Sequence, residues 1–128
     1  MRKAMMAAVL GVGLAAPPAS AAIAAGDEAA GKMLFQTKCT VCHSVEKGNN
    51  RNRPGPTLFG LMGRKAGSVP GFHYSPANLA SHKVWDEATL DTYLGDPRKV
   101  IPGTKMAFAG IVDARDRANL IAYIATLK

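Results

Sequence analysis

The sequence predicts a small all-α domain in which an N-terminal and a C-terminal helix cross, with the chain between them wrapped round a bound group. Three observations lead there. Two stretches, at about 27–39 and 114–127, carry apolar residues at helical spacing. Residues 44–83 lack any clear period and are punctuated by Gly and Pro, a longer structureless span than a compact domain usually holds. Aromatic residues make up only 6% of the chain, too little bulk to fill a core on their own.

The first residues read as a leader rather than as part of that domain. Arg2 and Lys3 supply a positive start, 5–16 is an apolar run, and Pro17, Pro18 and Ser20 break it. That is the layout of a secretory signal peptide, assigned here to residues 1–22, with a domain over 23–128. Small residues at 19–21 and 22–24 place the cut after one of positions 21 to 24. The apolar run is short for a membrane span, which argues against an uncleaved anchor and stable membrane insertion.

The first helix, at about 27–39, opens with Asp27 and Glu28, which suit its positive end, and sets Gly31, Leu34 and Phe35 on one face. Glycine weakens a helix interior, so Gly31 predicts close approach of another helix. A short helix at about 86–94 starts with Asp86 and Glu87, shares a face among Leu90, Tyr93 and Leu94, and has Gly95 as its candidate C-terminal cap with Pro97 beyond. Residues 100–108 read as an extended loop. The last helix has Asp113 as N-cap, Asp116 three residues on, and a stripe of Leu120, Ile121, Ile124 and Leu127 that should cross the first helix near Gly31 and Phe35.

The net charge is +7, and loss of Arg2 and Lys3 with the leader lowers it to +5. Such a balance suits an acidic protein, nucleic acid or an anionic surface. No basic run is interleaved with aromatics as a strand-binding surface requires, which argues against nucleic acid.

The chemistry concentrates in CTVCH, residues 39–43, which holds both cysteines of the chain. A reactive Cys-x-x-Cys usually sits at a helix N-terminus within βαβ elements, whereas this one follows a helix. Zinc would need two further ligands, and His73 and His82 are spaced too widely for a finger, while His43 adjoins Cys42. The third reading is covalent haem: thioethers from Cys39 and Cys42, with His43 reaching the iron. It agrees with export and with the thin core. A second axial ligand would make an electron carrier; an open position would suit a haem catalyst or ligand sensor. Met62, Met106, His73 and His82 are the candidates. Met106 stands 63 residues beyond His43 in a Pro-Gly-bounded loop, and Met62 reads as packing.

Four blocks in order, GDEAAGKMLFQTKCTVCHSVEKG, GPTLFGLMGRKAGSVPGFHYS, VWDEATLDTYLGDPRKVIPGTKMAFAG and NLIAYI, closely resemble the class I cytochromes c, the branch holding mitochondrial cytochrome c and its soluble bacterial relatives. The likeness runs from about Gly26 to the end. It departs in the loop between His43 and Gly55, about one residue longer here, and at Met62, where an aromatic is usual.

The resemblance implies one haem c per chain, His43 and Met106 as axial iron ligands, and Pro56 as acceptor of the imidazole proton. It sets Tyr93 and Thr104 near the methionine, and Arg64, Tyr74, Asn78 and Trp85 round the haem propionates, whose charge their donor groups can satisfy. It implies a monomeric periplasmic electron carrier in a respiratory or photosynthetic chain, not an enzyme. Lys38, Arg98, Lys99 and Lys105 would surround an exposed haem edge and meet acidic surfaces of partners such as a quinol–cytochrome c reductase and a terminal oxidase.

Overall fold

The computed structural model describes residues 25–48 and 53–128. The signal-peptide assignment over 1–22 and part of the longer loop after His43 lie outside the described residues. Five helices follow in order: α1 (Glu28–Lys38), α2 (Pro76–Ala80), α3 (Glu87–Gly95), α4 (Pro97–Val100) and α5 (Ala114–Ile124). Among the described residues there is no β-strand beyond one isolated antiparallel bridge, Lys65 with Val84.

Each helix begins on a side chain that accepts a backbone N–H: Asp27 from Ala30, Ser75 from Asn78, Asp86 from Thr89, Asp96 from Lys99, and Asp113 from Asp116. Such caps satisfy donors that the first turn leaves open. At Asp86 the amide and hydroxyl of Thr89 hold the carboxyl below its ordinary range by stabilising the charged form.

α1 and α5 cross at backbone distance. A Cβ on Gly31 would fall 1.9 Å from the Asn119 carbonyl oxygen, so only glycine fits there. One turn on, Phe35 meets Tyr123 edge to face at 5.3 Å. The buried Asn119 closes the joint by accepting the Asp27 N–H at 2.8 Å. Below it, Leu120 is fully buried, with Ile121 and Ile124 beside it. The expected crossing near Gly31 and Phe35 is therefore present. α3 joins the pair through Arg117, whose Nε donates to Asp91 at 2.7 Å while Nη1 donates to the carbonyls of Ile111 and Val112. This partly exposed ion pair is worth under about 1 kcal/mol, and its geometric role is to hold the 111–112 turn.

Three expectations need correction. Residues 76–80 form α2 within the span read as irregular, because Ser75 and Pro76 supply a cap and a first-turn proline that outweigh the missing period. Gly95 is not a cap: it is the last residue of α3, and Asp96 both ends that helix and caps α4, so residues 97–100 are helical up to Val100. Gly110 (φ 101°) packs on the Gly95 carbonyl, and it is at Gly110 that a Cβ would come within 2.3 Å of that oxygen; a Cβ on Gly95 would meet only Arg117, at 3.9 Å. The last helix stops at Ile124; Leu127 is half-buried in the tail and accepts the Gly60 N–H through its carbonyl. Among the described residues, no helix is long and apolar enough to cross a membrane.

Gly31→Ala should cost the loaded protein about 3 kcal/mol, since the overlap is with backbone that cannot rotate away. Guanidinium unfolding measures it, and a loss under about 1 kcal/mol would mean the helices do not meet here as described.

Candidate functional site

The crossing helices and the loops between them enclose one cleft of about 250 Å³, with walls mainly of apolar side chains. α1 brings Lys38 and, at its C-cap, Cys39. α5 contributes Leu120 and Ile124, and α3 contributes Leu90, Tyr93 and Leu94. The loops supply the rest, including the floor residues Leu58, Leu61 and Phe108.

Cys39, Cys42 and His43 reach the cleft together because the chain turns tightly after α1: the amides of Cys42 and His43 both donate to the Cys39 carbonyl. Both cysteines are unpaired thiols. Burial is the main cause that pushes the Cys39 thiol up to about 11, with Lys38 acting against it and Cys42 with it. That is unlike the low-pKa thiol of a disulfide oxidoreductase, and the pair sits at a helix C-terminus, not an N-terminus. Among the described residues no group of three or more His, Cys, Asp and Glu assembles as an ion site, which leaves the zinc reading without a ligand set.

The His43 ring is held from outside the cleft. Its Nδ1 donates to the Pro56 carbonyl at 2.7 Å, which fixes the proton on Nδ1 and leaves Nε2 with a lone pair for a ligand. Burial lowers the pKa of this imidazole; the bond to Pro56 raises it, and Arg64 lowers it further. The neutral ring is the form that binds metal.

Met106 lines the same cleft. Its backbone N–H donates to the Thr104 hydroxyl at 3.3 Å, and the Tyr93 hydroxyl donates to its sulfur at 3.6 Å. Burial raises the Tyr93 phenol, opposed by its hydrogen bond with Thr104. Trp85 packs tilted on Tyr93 at 4.9 Å. Arg64 donates to the carbonyls of Phe59 and Thr57, and burial lowers its pKa while Tyr74 raises it. The Tyr74 hydroxyl accepts from the Val69 N–H. Asn78 also lines the cleft, and its side-chain oxygen is buried with no hydrogen-bond partner within the protein. A buried polar atom without a partner is costly.

Every residue expected in the pocket, from Cys39 to Met106, lines this one cleft. Of the four expected docking cations, Lys38 and Lys105 line it, whereas Arg98 and Lys99 stand exposed in the last turn of α4 and are not part of its wall. Met62 packs against the core instead, and His73 and His82 are exposed away from the wall. Lys105 is more engaged than a free surface lysine: it donates to the His73 carbonyl and sits over the Phe72 ring at 4.5 Å. Sequence reasoning missed Phe72, Leu58 and Gly55 as lining residues. Their signal was present in the Pro-Gly turns, but nothing local says which side of a turn faces a ligand.

The cleft fits a haem: apolar walls, two thiols with two residues between them, an imidazole with its outer nitrogen already bonded, and a thioether. The sequence profile of the family described as Cytochrome c matches residues 28–128. The chain belongs to the cytochrome c family. It is 48% identical over 103 residues to the cytochrome c of Euglena viridis, covering 80% of this chain and 99% of that one. It is 51% identical over 102 residues to the cytochrome c of Gibberella zeae, covering 80% and 95%. It is also 48% identical over 103 residues to the cytochrome c2 of Rhodopila globiformis, with the same coverage of 80% and 95%. As a member of this family it is a monohaem electron-transfer protein whose haem c is bound covalently through Cys39 and Cys42.

Loss of the haem would leave a hole of about 250 Å³, worth roughly 6 kcal/mol at about 24 cal/mol per Å³. That is comparable with the whole stability of a small domain. The cofactor-free chain should therefore lose most of its helical circular dichroism, and a native-like far-UV spectrum without haem would refute this.

Proposed function

We propose that the chain is an exported, monomeric carrier that shuttles single electrons in the periplasm, with His43 and Met106 as the axial ligands of its haem iron. One observation carries the reading: both candidate ligands and both cysteines line a single cleft. When bound, haem c supplies an iron that takes and gives one electron, with a potential tuned by its axial ligands and their surroundings.

The chain's own residues do the rest. Pro56 holds His43 through Nδ1 and increases the basicity of Nε2, the usual task of an outer partner to a metal-binding histidine. Tyr93 and Thr104 hold Met106 through its sulfur and its backbone N–H, so the loop carrying it is kept in one position. Arg64, Tyr74, Asn78 and Trp85 bring polar groups that suit buried carboxylates. The apolar walls exclude water and limit the reorganisation that accompanies a change of charge.

Docking falls to the basic surface. Lys38 and Lys105 stand at the cleft, with Arg98 and Lys99 nearby in sequence on the approach to Met106. Cations there steer an acidic partner and raise its encounter rate at low salt. The partners proposed are a quinol–cytochrome c reductase as donor and a terminal oxidase as acceptor, or a photosynthetic reaction centre in place of the latter. Export rests on the leader-like residues 1–22.

In the reduced wild type, added carbon monoxide should leave the visible spectrum unchanged, whereas Met106→Ala should bind it readily. A wild type that binds carbon monoxide would mean an open iron position and a haem catalyst or ligand sensor in place of a carrier. Neutralising Lys38, Lys99 and Lys105 together should slow electron exchange with an acidic partner roughly tenfold at low salt and flatten its salt dependence. Unchanged rates and slope in stopped-flow measurements would sink the docking assignment.

A further inference from the structure

The segment from Arg53 to Leu58 runs along the tether turn as a strap. Arg53 Nη1 donates to the Thr40 carbonyl at 2.7 Å, the Gly55 N–H to the Cys42 carbonyl at 3.0 Å, and the Leu58 N–H to the Ser44 carbonyl at 2.9 Å. In return His43 donates to the Pro56 carbonyl. Pro54 and Pro56 flank Gly55 and lock their own φ angles, so this strap has little freedom to shift.

Gly55 is buried against the face of the His43 ring. A Cβ there would lie 2.4 Å from Cε1, 2.6 Å from Nδ1 and 2.9 Å from Nε2. Carbon atoms rest at about 3.5–4.0 Å, so any side chain at position 55 would overlap the ring by about 1 Å. Its φ is not in the left-handed region, so backbone conformation does not explain the glycine. The ring does. The overlap could be relieved by the strap or by the ring, and the strap is tied on both sides of Gly55. The ring makes one hydrogen bond, at Nδ1, which fixes an edge and leaves the plane to whatever the ring packs against.

We propose that Gly55 is a positioning residue: its bare backbone is the seat against which the His43 imidazole lies flat, and it sets the tilt of that ring. The assignment rests on His43 being an axial ligand of the iron. Pro56 fixes which nitrogen carries the proton; Gly55 fixes the plane. The orientation of an imidazole plane governs the splitting of the iron orbitals it overlaps, so tilt is readable without any measure of electron-transfer activity.

The test uses the haem-loaded full chain as wild type, Gly55→Ala and Asp113→Ala, the last as a control that removes the N-cap of α5, away from the ring. Ferric electron paramagnetic resonance, the pattern of haem-methyl NMR shifts and the midpoint potential are recorded for each, with guanidinium unfolding alongside. Gly55→Ala should change the g-value spread, reorder or displace the methyl shifts and move the potential, while Asp113→Ala lowers stability and leaves all three at wild-type values. A Gly55→Ala protein that is merely less stable, with wild-type g-values and methyl shifts, overturns the proposal. If Gly55→Ala yields no loaded protein, Pro54→Ala decides: it adds no atom near the ring but loosens the strap, so broadened ferric lines support the assignment and wild-type line shape overturns it. A wild type lacking imidazole ligation overturns this inference together with the ligand reading; an imidazole-ligated wild type with an unmoved Gly55→Ala overturns this inference alone.

Discussion

The rest of the molecule depends on a contact between two backbones, Gly31 of α1 and the Asn119 carbonyl of α5. It brings the helix axes closer than side chains on both would allow. α1 delivers Cys39 at its C-terminal end, and α5 supplies Leu120 and Ile124 to the cleft wall, so the crossing fixes how far the tether turn stands from the opposing apolar surface. A larger residue at the joint would open the wedge and change the space for the cofactor as well as the packing.

Around that joint, loops rather than helices build most of the site. Such a loop-rich site could be loose, but here its backbone is tied at short intervals. The 53–58 strap is laced to 40–44, the 104–106 loop is held by Tyr93, Thr104 and Lys105, and the 111–112 turn is held by Arg117. These are individually modest bonds. Their effect is geometric: each candidate ligand is carried on backbone that is already bonded elsewhere, which is what a carrier needs if its ligands are to stay put through a change of charge.

The electrostatics divide by depth. Inside, burial dominates: it favours neutral imidazole at His43, thiol at Cys39 and phenol at Tyr93, and it disfavours the charge on Arg64, which is compensated by two carbonyls. Outside, the excess positive charge remains exposed at the cleft edge and on α4, where water supports it. The same chain thus keeps a low-polarity interior for the redox group and leaves its excess charge in water.

The sequence by itself determined the helical ends of the fold, their crossing at a glycine, and the haem-attaching identity of Cys39 and Cys42. Each of these rests on local spacing: 3.6-residue periodicity for the helices, and two thiols beside an imidazole for the tether. Resemblance to a known family brought in Met106 and the polar pocket residues, which spacing alone left among several candidates. Only the tertiary structure decided what the middle of the chain does. It showed α2 and α4 where no period was visible, made Gly95 a packing neighbour of Gly110 and not a cap, and set Gly55 against His43. It also separated the cations, with Lys38 and Lys105 on the cleft and Arg98 and Lys99 off its wall. The reason is physical: a glycine required by a neighbour from elsewhere in the chain looks the same in sequence as one required by its own turn, and only the packed partner tells them apart.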